Sequence, residues 1–251
     1  MRKCLHLVTL ICVVAILNGC ATHRTKGTEM SNESNAAGFI TKTMSVKGEQ
    51  RVYAVYVPRE YSPKKQWPLI VSLHGMGERG EDGLLQTEVS IGRAIRRHAD
   101  RFPCIVVMPQ CPSKSLWTGA FDDITTVIAD TRAAYVIDPA RIYLTGLSMG
   151  GFGTWMYGAD HIDMFAALMP ICGGGRVEDA AKLAGIPIWA FHGADDKTVP
   201  PKKSQEMVEA IKKAGGNIKY TEFPGVSHNS WDAAYDDPET MKWLLEQRKK
   251  K

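Results

Sequence analysis

Gly146-Leu147-Ser148-Met149-Gly150 constrains the fold of this 251-residue chain more than any other stretch. It follows Arg141-Ile142-Tyr143-Leu144-Thr145, a short apolar β-former, and opens into Gly151-Phe152-Gly153-Thr154-Trp155-Met156-Tyr157, which reads as a helix. Glycines on both sides of a serine, between a strand and a helix, predict a turn too tight for a side chain at 146 or 150. Such a turn lifts a serine hydroxyl clear of the sheet edge, and the following helix aims its N-terminal N–H groups at it. Ser148 is the candidate nucleophile.

A hydroxyl attacks only when a base takes its proton, so a nucleophilic serine needs an imidazole and an acid from elsewhere in the chain. Ile186 to Phe191 reads as a buried strand and runs into His192-Gly193-Ala194-Asp195-Asp196-Lys197-Thr198-Val199-Pro200. Asn217 to Phe223 reads as the next strand and leads to Pro224-Gly225-Val226-Ser227-His228-Asn229-Ser230-Trp231. An acid after one strand and a histidine after the next give the chain order serine, aspartate, histidine. His228 is the candidate base, and Asp195 or Asp196 the group that orients it and stabilises its imidazolium form.

Strands and helices alternate along the chain, which predicts a mostly parallel sheet covered on both faces. Arg51–Val57, Leu69–Leu73 and Cys104–Met108 read as strands, the last two as continuous apolar runs suited to a sheet centre. Asp122–Val136 and Pro200–Ala214 carry apolar residues at helical spacing, the second stopped by Gly215-Gly216. The last helix is expected to have Asp237 as N-cap, Pro238 at its first position and Met241, Leu244 and Leu245 as its buried stripe. The chain between Ser148 and Asp196 is too short for a separate lid, so an open cleft is expected.

Leu144 to Gly151 with Gly153-Thr154-Trp155, the H-G-x-x-D-x-x-V-P run at 192–200, and His228-Asn229-Ser230-Trp231-Asp232 resemble bacterial secreted serine esterases. These form the branch of the α/β-hydrolase superfamily that includes feruloyl and acetylxylan esterases and members described as peptidases. The resemblance spans roughly residues 39–249 and implies an α/β-hydrolase fold without a large lid domain. It selects Asp196 over Asp195 as the acid. It also implies an oxyanion hole made by the N–H of Met149, after the nucleophile, and one from Leu73-His74-Gly75-Met76-Gly77, assigned to Met76 with Gly77 as the alternative. His74 and His192 precede the nucleophile and the acid, so bracing roles are expected of both. Gln110, Trp117 and Trp231 are the candidate substrate-lining residues, the tryptophans as an aromatic wall, and Glu78-Arg79-Gly80-Glu81 is within reach of the same mouth.

The N-terminus reads as a processing segment. Arg2 and Lys3 precede an apolar run, Leu5 to Leu17, too short for a bilayer span. It ends Leu17-Asn18-Gly19-Cys20, which resembles the lipobox of bacterial lipoproteins with Asn18 as a departure. The expected organisation is a signal peptide at 1–19, a flexible tether at 20–38 beginning with a lipidated Cys20, and a catalytic domain at 39–251. The tether would reach roughly 25 Å as a coil, and acyl chains on Cys20 would hold the protein to the bacterial envelope, at the periplasm or cell surface.

Composition is that of one globular domain, with 44% hydrophobic and 23% charged residues. Without residues 1–19 the basic side chains number 29 against 27 acidic, which gives no ground for nucleic-acid binding. Arg248 to Lys251 reads as a solvated helix end. Cys104, Cys111 and Cys172 lack metal-ligand spacing. The strand ends near the last two are expected about 14 Å apart, too far for a disulfide, so free buried thiols are expected. The leading functional expectation is an ester hydrolase needing no cofactor, acting on feruloyl or acetyl esters of plant polysaccharide. A serine peptidase and a non-catalytic envelope binding protein are the alternatives.

Overall fold

The computed structural model describes residues 36–249. The expected leader at 1–19, Cys20 and most of the 20–38 tether lie outside the described residues, as do Lys250 and Lys251. The strands, in chain order, are β1 (Gly38–Val46), β2 (Glu49–Val57), β3 (Trp67–Leu73), β4 (Ile105–Pro109), β5 (Ile137–Leu147), β6 (Ala167–Ile171), β7 (Ile188–Gly193) and β8 (Ile218–Phe223). The helices are α1 (Ser90–Arg97), α2 (Phe121–Ala134), α3 (Met149–Asp160), α4 (Ala180–Leu183), α5 (Lys202–Lys213), α6 (Ser230–Asp236) and α7 (Pro238–Glu246).

All eight strands form one sheet in the order β1-β2-β4-β3-β5-β6-β7-β8, with only the β1–β2 and β2–β4 pairs antiparallel. This is the α/β-hydrolase arrangement. Every residue of β3, β4 and β6 is buried, which is why those runs are apolar without alternation. Successive residues of β5 and β4 face opposite layers. Leu144 and Val107 pack with Ile124, Val127, Trp155, Met207 and Ile211 of α2, α3 and α5. Tyr143 and Val106 pack with Ile91, Ile95, Tyr235, Met241 and Leu244 of α1, α6 and α7.

The helix ends follow the sequence signals. The Asp237 carboxylate accepts the Glu239 N–H at 2.9 Å with Pro238 at the first position of α7. Helix α5 stops at Gly215, whose φ of +84 suits glycine. Strand β1 departs from the expectations, which start the sheet at Arg51. It is an edge strand of alternating burial, with Met44 and Val46 buried and Thr41, Thr43 and Ser45 exposed, and Lys42 interrupts its apolar face. Its turn to β2 uses Lys47 and Gly48, both at positive φ, as a tight hairpin requires. The C-terminal tail is also different from expectation. Helix α7 ends at Glu246, Arg248 pairs with Asp138 at 3.1 Å, and the Lys249 N–H donates to Ala140. Between β6 and β7 the chain holds only a short turn and the four-residue α4, so no lid is present among the described residues.

Candidate active site

Ser148 joins β5 to α3 with φ +50 and ψ −117, a conformation that side chains rarely adopt. The sequence forces it by removing side chains on either side. A Cβ on Gly146 would stand 2.4 Å from the Gly150 carbonyl oxygen. The Ser148 N–H is anchored to the Ile171 carbonyl at 3.0 Å, and the thiol of Cys172 lies 3.3 Å from the same nitrogen.

His228, on the loop between β8 and α6, stands with Nε2 2.9 Å from Ser148 Oγ. Its Nδ1 donates to Asp196 Oδ2 at 2.7 Å, which leaves Nε2 free to accept the serine hydroxyl hydrogen. Asp196 is buried on the β7 exit loop, and its Oδ1 accepts the Thr198 and Val199 N–H groups at 2.8 and 2.9 Å. Burial pushes this carboxyl up, but the His228 bond and the two backbone N–H groups outweigh it and hold the group below its ordinary range. Asp195 is exposed, and it is Asp196 that His228 meets.

The loop after β3 passes directly beside Ser148. The Cβ site of Gly75 is 2.7 Å from Leu147 Cδ1 and 3.8 Å from Ser148 Cβ, so a side chain there would have to displace the Leu147 tip. Met76 opens a single 3-10 turn, Met76–Glu78, and Met149 opens α3, whose first N–H groups have no partner within the helix. Met76 and Gly77 both line the site. His74 braces this loop, as expected. Its Nδ1 donates to the Gly75 carbonyl at 2.6 Å and its Nε2 accepts the Cys111 N–H at 2.9 Å. Burial holds it neutral, with its pKa lowered to about 4.

These groups open onto a cavity of about 580 Å³. Its walls are mostly apolar, from Met76, Leu116, Met149, Phe152, Met156 and Val199, with Trp231 set edge-on to His228 at 5.5 Å. Phe152 and Met156 escaped the sequence reading, although Met149, Phe152 and Met156 recur at helical spacing from the nucleophile, a signal that could have found them. One expected substrate-lining residue needs correction. Gln110 is buried away from the cavity: its Oε1 accepts the Gly83 N–H at 2.7 Å and its Nε2 donates to the Glu78 carbonyl at 3.1 Å. Trp117 lines the cavity, as expected, and is 1% exposed with its indole N–H donating to the His74 carbonyl at 2.9 Å. Glu78 does line the cavity, whereas Arg79 turns away to the carbonyls of Met76 and Ser115. Cys104, Cys111 and Cys172 are free and buried, as expected.

The family model for dienelactone hydrolases matches residues 98–239, more than half of the chain, including Ser148, Asp196 and His228. The chain belongs to the dienelactone hydrolase family. Among curated members of the wider group, a bifunctional acetylxylan esterase/xylanase of Neocallimastix patriciarum is 31% identical over 173 residues, 66% of this chain and 24% of that protein. Feruloyl esterase B of Neurospora crassa is 27% identical over 190 residues, 70% of this chain and 58% of that protein. The crystal structure of a thermostable esterase superposes with a TM-score of 0.76 at 35% identity, over 84% of this dienelactone hydrolase family chain and 63% of the esterase. The chain thus spans less than two thirds of the length of each of these proteins.

Proposed function

We propose that the chain is a serine carboxylic-ester hydrolase working through an acyl-enzyme. The observation that carries this reading is the unbroken line from Ser148 Oγ through the His228 ring to Asp196, at 2.9 and 2.7 Å, facing an apolar cavity. Ser148 Oγ attacks the ester carbonyl carbon while His228 Nε2 takes the hydroxyl proton. The negative charge that forms on the carbonyl oxygen is met by the N–H of Met149 and of Met76. The C–O bond to the alcohol then breaks, and His228 returns its proton to the departing oxygen. Water, deprotonated by His228, attacks the acyl-enzyme, and the acid leaves with Ser148 re-protonated. Asp196 holds the Nδ1–H tautomer throughout and stabilises the imidazolium that forms twice per turnover.

The substrate we propose is a feruloyl or acetyl ester on plant polysaccharide, with the aromatic acyl group favoured. The named activities of the acetylxylan esterase and feruloyl esterase relatives support the class. The width and apolar lining of the cavity support a ring-sized acyl group over acetyl, because apolar walls gain from burying apolar surface. Leu17-Asn18-Gly19-Cys20 supports export and a lipid anchor at Cys20, which would keep the enzyme at the envelope where polymer fragments arrive.

A fluorophosphonate added to the protein tests the chemistry, with one equivalent of mass expected on the peptide containing Ser148 and none in Ser148→Ala. An ester panel of p-nitrophenyl acetate and butyrate, methyl ferulate and acetylated xylan, run beside matching amides, tests the class. Amides cleaved as fast as esters would replace this reading with a peptidase. No adduct and no turnover would leave a binding protein.

A further inference from the structure

His192 ends β7 fully buried, and the proton relay makes no use of it. Its ring is nonetheless held on three sides. Nδ1 meets the Ser204 hydroxyl at 2.7 Å, and that hydroxyl lies 2.9 Å from the Gly173 carbonyl. Nε2 lies 2.9 Å from the Val199 carbonyl and 3.3 Å from Asp196 Oδ2. A backbone carbonyl and an ionised carboxylate only accept, so Nε2 carries the ring proton. Val199 is therefore gripped at both ends, since its N–H donates to Asp196 Oδ1 at 2.9 Å while its carbonyl accepts from His192.

The other end of this chain of contacts reaches the nucleophile. Gly173 lies under α3, where a Cβ on Gly151 would stand 3.2 Å from the Gly173 Cα. With Nε2 protonated, Nδ1 accepts from the Ser204 hydroxyl, so one imidazole ties the loop bearing the acid to α5, which packs beside Gly173. We propose that His192 is a positioning residue of this site: it fixes the Val199 turn that presents Asp196, and it shares Asp196 Oδ2 with His228. The proposal rests on the Ser148, His228 and Asp196 reading above.

The charged and titratable groups around it are few. Asp196 and His228 face it from the site. Glu222, its register partner on β8, is already engaged by the Tyr220 hydroxyl at 2.5 Å and the Gln205 amide at 2.8 Å. Burial keeps the His192 ring below the ordinary histidine range, which favours the neutral donor form. With its N–H removed, Oδ2 presents more of its charge to His228, and the imidazolium of His228 becomes easier to form.

The test is His192→Leu beside His192→Gln, whose amide nitrogen takes the place of Nε2 and keeps the donor. Activity is counted per phosphonate-titrated site, so that only folded enzyme is compared. In His192→Leu, kcat should fall by roughly 10- to 100-fold, as small misplacements of a catalytic group do, with KM within about twofold. The acid limb of its kcat/KM profile should move up by about half a pH unit or more. His192→Gln should restore the limb and most of kcat. Should His192→Leu fail to fold, Ser204→Ala, which loosens the ring without emptying the site, should move the limb the same way by less. A limb that coincides with the wild type in the variants that fold would overturn the proposal. Wild-type protein that takes no adduct at Ser148 would instead overturn the triad reading, and this one with it.

Discussion

A Cβ on Gly150 would stand 2.0 Å from the carbonyl oxygen of Leu73, so the start of α3 and the end of β3 are in backbone contact. The nucleophile turn and the loop that carries Gly75 and Met76 are one packed unit. Gly150→Ala should therefore cost about 1–3 kcal/mol or more, as overpacking of a rigid site does. It should also abolish turnover by pushing the two loops apart. Gly77→Ala, whose Cβ meets nothing within 4 Å, should leave stability within about 0.5 kcal/mol. Urea midpoints of the two variants decide it, and equal midpoints would remove the claim of backbone contact.

Ser148 carries a positive φ that costs the fold stability and that only its chemistry justifies. Ser148→Gly should be inactive, yet more stable than Ser148→Ala by about 1 kcal/mol, because glycine adopts this conformation without strain. Thermal unfolding of the pair at one pH measures the difference. A glycine variant no more stable than the alanine one would show that the turn is unstrained.

Buried groups of the site contribute to the pH dependence of stability, the histidines and Asp196 in separate windows. Burial sets the His74 pKa at about 4 against an ordinary 6.5, so the unfolded chain takes up the proton first. The stability tied to neutral His74 is full above pH 6.5 and is lost as pH falls toward 4. By pH 5 the loss should be about 2 kcal/mol. His74→Gln removes this share of the decline between pH 7 and 5, and the part due to His192, also held down by burial, remains. The Asp196 carboxyl, held below its ordinary 3.8, loses its contribution only at lower pH still. Denaturant titrations at pH 7, 5 and 3.5 separate the two, and an unchanged slope in His74→Gln would refute the assignment.

Met156 sits on the cavity wall, two turns along α3 from the nucleophile. Met156→Trp should fill that end and lower kcat/KM for methyl ferulate by about 10-fold or more, as pocket volume discriminates among acyl groups. Acetyl esters should change by less than about threefold. A parallel loss for both esters would mean that the acyl group lies elsewhere.

The parts of the site that depend on a local rule were legible in the sequence. Gly146 and Gly150 demand a turn without side chains, and Asp196 and His228 follow the exits of β7 and β8, so strand order alone brings them to Ser148. What escaped depends on contacts across the fold. Gln110 stands at a strand exit facing the right edge, yet tertiary hydrogen bonds from Gly83 and to Glu78 turn it into a support. Strand β1 pairs only with β2, and Lys42 interrupts the apolar face that Ile40, Met44 and Val46 share. The bracing of His192 was expected, but its grip on Val199 is a matter of distance that no motif spells out.

The short passage from β6 to β7 leaves Ser148 with nothing to close over it among the described residues. On the proposed acyl-enzyme reading, none of the described residues supplies the closing motion that times turnover in enzymes that seal their substrates. An acyl group parked on Ser148 meets whatever solvent is present. An added alcohol should compete with water for it in proportion to concentration, and the product would be a new ester in place of the free acid.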